Sequence, residues 1–156
     1  MTNGVKPIPD GYGTVTPYLI VNGAARAIEF YKQAFGAQET FRMAGPDGRV
    51  GHAEIKIGNS HVMLADEHPE MNARGPQSFG GSPVSFVLYV ADVDAQVERA
   101  VAAGAKLTRP VADQFYGDRT GGVEDPFGHA WYIATHVEDV PEDEMQRRAA
   151  AKHAGA

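Results

Sequence analysis

At 156 residues the chain is long enough for one domain, or for two half-sized modules sharing a sheet, with a genuine core. Its 14 Lys and Arg against 20 Asp and Glu leave a net charge of −6 with no basic cluster, which argues against nucleic acid or an anionic membrane surface as partner. There is no cysteine, so disulfides and thiolate chemistry are excluded and any metal would need His, Asp or Glu ligands.

Residues 1–13, with Pro7, Pro9, Gly11 and Gly13, read as an extended arm. The opening Met1-Thr-Asn-Gly-Val-Lys-Pro lacks a signal-peptide core, and no apolar run approaches the roughly 18 residues of a membrane span, so the expected location is cytoplasmic, with no membrane partner. Thr14–Val21 reads as the first strand. Over 23–35 the apolar residues Ala24, Ala27, Ile28, Tyr31 and Phe35 recur at helical spacing, and Gly36 ends the helix. Strands follow at Phe41–Met43, Gly51–Ile57 and Ser60–Ala65, separated by Gly-Pro-Asp-Gly at 45–48 and Gly-Asn at 58–59. Residues 66–82 are long and rich in Gly and Pro, the mark of a linker or lid.

The order then repeats: a strand at Val84–Val90, a helix at Val93–Ala103, a strand at Lys106–Val111, and a closing hairpin of Gly117–Glu124 with His129–Thr135. Val21 and Val90 stand 69 residues apart, Gly36 and Gly104 stand 68 apart, and His61 and His129 echo one another at 68. The chain is therefore α+β, with two tandem βαβββ modules: module one at 14–65, linker 66–82, module two at 83–136. The seam between modules is the expected ligand site. Residues 137–156 form a polar tail, helical from Pro141, with acids in its first turn and Arg147 and Arg148 later, matching a helix dipole.

The paired modules, the Gly-Ala-x-x-Ala-Ile-x-Phe-Tyr opening at 23–31 and Asp125-Pro-Phe-Gly-His129 before the last strand resemble the vicinal-oxygen-chelate superfamily of glyoxalases, bleomycin-resistance proteins and extradiol dioxygenases. Tyr116-Gly-Asp-Arg119 followed by Asp-Pro-Phe-Gly-His-Ala-Trp131 is similar to its PhnB-like branch, and the likeness covers about residues 14–136. The resemblance implies that the two modules form a half-open eight-stranded mixed barrel, with metal ligands on the first and last strands of each module, which fall on Thr16, Leu64, Ser85 and Tyr132. None of these is His, Glu or Asp, so the expectation is no cofactor, with a displaced divalent metal as the alternative.

Strand alternation in Gly51-His-Ala-Glu-Ile-Lys-Ile57 places His52 and Glu54 on the concave face, either as a cross-strand charge pair or as candidate catalytic groups. Tyr18, Val87, Tyr89 and Tyr132 are expected to form an apolar wall with hydroxyl tips, suited to a hydrophobic or aromatic small molecule, or else to pack in a dimer or core. Arg119 either receives an anionic group or bridges to Asp118, Glu124 or Asp125. The functional expectations are a metal-free small-molecule binder, as bleomycin-resistance proteins imply, or a glyoxalase-like lyase or isomerase with His52 or Glu54 as general base; a homodimer is expected in either case.

Overall fold

The computed structural model describes residues 4–155; the first three residues of the expected arm and Ala156 of the tail lie outside the described residues. The chain divides into two units, the first running to Ser82 and taking in Pro126–Gly128, the second comprising Pro83–Asp125 and the chain from His129 onward. Each unit has one mixed four-stranded sheet, and the chain is α+β with two βαβββ modules.

In the first unit β1 (Tyr18–Val21), α1 (Ala24–Phe35), β2 (Gln38–Ala44), β3 (Val50–Ile57) and β4 (Ser60–Asp66) give a sheet of order β1-β4-β3-β2, parallel only between β1 and β4. A 3-10 turn at Pro69–Met71 and the single-turn α2 (Pro76–Phe79) break up the segment expected as a linker. The second unit repeats the pattern with β5 (Ser85–Tyr89), α3 (Val93–Ala103), β6 (Lys106–Asp113), β7 (Asp118–Glu124) and β8 (Ala130–His136), in the order β5-β8-β7-β6. The tail helix is α4 (Glu142–Ala154), which buries no residue.

The helices form where the sequence places an apolar stripe over an apolar sheet face. In α1, Ala24, Ala27, Ile28, Tyr31, Ala34 and Phe35 are buried, and the sheet contributes Leu19, Val21, Ala53, Ile55 and Leu64. Each large side chain removed from water in this layer stabilises the fold by roughly 1.5–3 kcal/mol. Phe127 packs edge-on against Phe30 at 6.2 Å and tilted against Tyr31 at 6.4 Å. Gly36 ends α1 at φ 67°, its N–H returning to Lys32 while that of Ala37 returns to Tyr31. In the second unit α3 presses Val93, Val97 and Ala100 onto its sheet. A β-carbon on Gly121 would come within 2.8 Å of Val111 and 3.1 Å of Val97, so the glycine is what lets helix and sheet close.

Both helix starts are held from the end of the unit's last strand. Asp66 Oδ1 accepts the Gly23 and Ala24 N–H groups at 2.9 and 2.8 Å, and Oδ2 accepts that of Val50 at 2.7 Å. Burial pushes this carboxyl up, but the three backbone donors outweigh it and hold it below the usual carboxylate range. Thr135, 69 residues later, accepts the Val93 N–H and donates to the Val90 carbonyl, while Asp92 caps Ala95.

Register fixes what each sheet presents on the face away from its helix. Tyr18 pairs with Met63, Met63 with Glu54 and Glu54 with Phe41. The matching row of the second unit is Val87, Tyr132, Gly122 and Arg109. Both rows rely on a bulge: between Glu39 and Phe41, and between Leu107 and Arg109, the strand gains a residue and its alternation reverses.

Candidate functional site

On the open face of the first unit, Tyr18 projects from β1 and His52 and Glu54 from β3, as alternation predicts for those two. The Tyr18 hydroxyl lies 2.8 Å from His52 Nδ1, and His52 Nε2 lies 3.6 Å from Glu54 Oε1. Burial, then the Glu54 charge, raises the Tyr18 phenol above its ordinary value, so it stays protonated at neutral pH. The arm reaches the same face: Tyr12 stacks on His61 with ring centroids 4.0 Å apart, and burial and its bond to Glu54 raise its phenol too. A hydroxyl hydrogen-bonded to an imidazole, with a carboxylate within ion-pair distance of that ring, is a set of groups suited to general acid–base work.

The second unit presents something different. Where the first has His52 and Glu54, the second has Thr120 and Gly122, and Tyr132 stands where the first has Met63. The smaller side chains leave a cavity of about 350 Å³, walled by Val87, Tyr89, Tyr116, Tyr132 and Pro110, with Arg109 and Asp118 at its polar margin. The Tyr89 hydroxyl donates to Asp118 Oδ2 at 2.8 Å, and Asp118 Oδ1 lies 2.7 Å from His136 Nδ1, whose Nε2 is 2.7 Å from Asp139. Burial pushes the Asp118 carboxyl up, but His136 and Tyr89 hold it below the usual range. Asp139 and then Asp118 raise His136, favouring the imidazolium.

The expected site residues separate into groups. Val87, Tyr89 and Tyr132 come together at this cavity, and Ser85 is exposed at the start of the same strand. Thr16 is half-buried just ahead of β1. Leu64 is wholly buried on the helix side, and Met63 takes the open-face position 69 residues before Tyr132. The cause is a closing turn one residue longer in the second unit: Lys56 pairs with His61 across four intervening residues, whereas the matching Glu124 pairs with Ala130 across five. Arg119 also turns to the helix side, where its fork meets Asp94 at 2.7 and 2.9 Å and Asp113 at 3.1 Å, instead of the acids expected from sequence. Arg109, Tyr116 and Asp118 line the cavity without having been expected as site residues; for Arg109 the repeat was the signal, since it stands 68 residues after the open-face Phe41.

The donor set does not fit the metal centre that the fold implies. Its implied positions hold hydroxyls and hydrocarbon, and among the described residues no group of three or more His, Cys, Asp or Glu side chains is placed to hold a metal ion. Among the described residues no helix is long and apolar enough to cross a membrane.

The family model described as Glyoxalase/Bleomycin resistance protein/Dioxygenase superfamily matches residues 12–133. The chain is 46% identical over 135 residues to the uncharacterized protein Mb0911c of Mycobacterium bovis, covering 85% of this chain and 89% of that protein. Among solved structures, the Arabidopsis thaliana At5g48480 product aligns at 30% identity and a TM-score of 0.65, over 79% of this chain and 98% of its own. The PhnB protein of Bacillus cereus shares the fold at 16% identity and a TM-score of 0.62, over 79% and 99% of the two chains.

Proposed function

The chain belongs to the glyoxalase/bleomycin resistance protein/dioxygenase superfamily, and on that premise we propose that it binds a small hydrophobic or aromatic organic molecule without the usual metal centre. The observation carrying this reading is the cavity of about 350 Å³ on the open face of the second unit, with three tyrosines in its wall. That volume lies in the range of roughly 300–1,000 Å³ typical of small-molecule pockets, and aromatic side chains stand there beside the polar groups of Arg109, Gln114, Asp118 and Thr120 that can orient a ligand. The same reading includes a homodimer, which would cover exposed apolar side chains such as Val87 and Tyr89.

Calorimetric titration with a panel of one- and two-ring aromatic compounds, run with and without a chelator, tests the reading. Binding should survive the chelator, and Tyr132→Ala should weaken it by about tenfold, near 1.4 kcal/mol. Binding that needs about one transition metal per chain, or that ignores the Tyr132 change, contradicts it.

A second reading, a glyoxalase-like lyase or isomerase, is favoured by one observation: the Tyr18–His52–Glu54 line in the first unit, which is suited to general-base chemistry. Under it, His52→Ala abolishes turnover of a small oxygenated substrate. Metal bound by the protein and lost with His52 or Glu54 would identify a displaced centre.

A further inference from the structure

We infer that the molecule taken by the second unit is an organic anion, its carboxylate or phosphate received by Arg109 above the Tyr132 ring. The inference rests on the preceding reading of the cavity and adds the chemical class of its ligand.

Arg109 lies on β6 after the bulge that turns it to the open face, and its guanidinium carbon sits 5.2 Å from the centre of the Tyr132 ring. A cation–π contact of this kind holds the guanidinium over the ring face, and it uses none of the N–H donors. Among the described residues Arg109 has no carboxylate partner, and it is the one cationic Lys or Arg lining the cavity. The contrast with Arg119, in the paired strand, is informative: that fork donates to both carboxylate oxygens of Asp94 and to Asp113 as well.

Two neighbours make the arrangement usable. Gly122 stands between Arg109 and Tyr132 in the sheet row, and a β-carbon there would come within 3.3 Å of Arg109 Cβ and 2.9 Å of Thr108 Oγ1. Its lack of a side chain opens the way from the arginine to the ring. Asp118, the carboxylate on the cavity wall, already has its oxygens engaged by Tyr89 and His136. Its charge is answered in place, and Arg109 keeps its donors for an incoming anion, which a guanidinium holds through two parallel hydrogen bonds.

Matched acid and amide probes separate this inference from the reading beneath it. Titration calorimetry would compare 1-naphthoate with 1-naphthamide, and benzoate with benzamide, on wild type, Arg109→Met and Arg109→Lys; 1-naphthyl phosphate distinguishes a phosphate from a carboxylate preference. Wild type should bind an acid at least about tenfold tighter than its amide, the size of one charge-assisted hydrogen bond pair. Arg109→Met should bring the acid to the amide's level without moving the amide, and Arg109→Lys should restore part of the difference. Equal affinity for acid and amide, a preference for the amide, or acid binding unmoved by Arg109→Met overturns the inference and leaves the cavity reading standing. Failure of every acid and amide to bind wild type overturns both.

Discussion

Asp66 stands at the end of β4, yet its largest effect falls on α1, 42 and 43 residues earlier. An asparagine there keeps one acceptor but turns an N–H₂ toward the Val50 N–H, leaving a buried donor unmatched. Asp66→Asn should cost roughly 1–3 kcal/mol in urea unfolding, and unchanged stability would remove the capping role. The pH dependence follows from the sign of the shift. The folded value lies below the unfolded one of about 3.9, so the contribution is complete above that pH and is lost as pH falls through the folded value. The acid limb of the stability curve should therefore flatten in the Asn variant. Sequence placed Asp66 at the head of a linker because its partners are remote in the chain and no local pattern announces them. Leu64 went to the wrong face for a related reason: one extra residue in a distant turn reverses its parity relative to Tyr132, whereas His52 and Glu54, read within one regular strand, came out on the open face.

Elements were the most legible level. The α3 boundaries, Val93–Ala103, match the spacing of apolar residues between Asp92 and Gly104, and α1 stops at its glycine as read. The strands β2 and β6 run longer than their apolar patterns, since both are mostly exposed edge strands carrying bulges. Those bulges are the feature sequence hid, and they decide that Arg109 faces the cavity while Leu107 pairs with the buried Val123. Within β7, a β-carbon on Gly121 would point at Val97 of the helix and one on Gly122 at Arg109 on the open face, so alanine at each should act differently. Gly121→Ala should destabilise by about 1–3 kcal/mol in thermal or urea unfolding, because Val97 and Val111 leave no room for a methyl group. Gly122→Ala should shift Arg109 and weaken binding of an aromatic acid more than of its amide. The reverse pattern would assign the two glycines to the wrong faces.

For the whole molecule, the two units keep one plan and diverge in what they present. The first places an imidazole and a carboxylate on its open face, the second a glycine, a threonine and a ringed cavity. The repeat was plain in the sequence, but the divergence depended on register and could not be read from composition. Each sheet has two edge strands, β1 and β2 or β5 and β6, and exposed apolar residues stand on its open face. Sedimentation equilibrium at micromolar concentration should fit about twice the 16.7 kDa chain mass; a fit to the single chain mass would rule out the homodimer.

Backbone amide mapping by heteronuclear NMR, with 1-naphthoate titrated into the unmodified protein in the presence of a chelator, tests the central claim most directly. The account predicts saturable shifts concentrated at Val87, Tyr89, Thr120, Gly122 and Tyr132, with the Arg109 side-chain N–H signals moving alongside them. Shifts confined to the face carrying His52 and Glu54, or binding that vanishes when metal is removed, would contradict it.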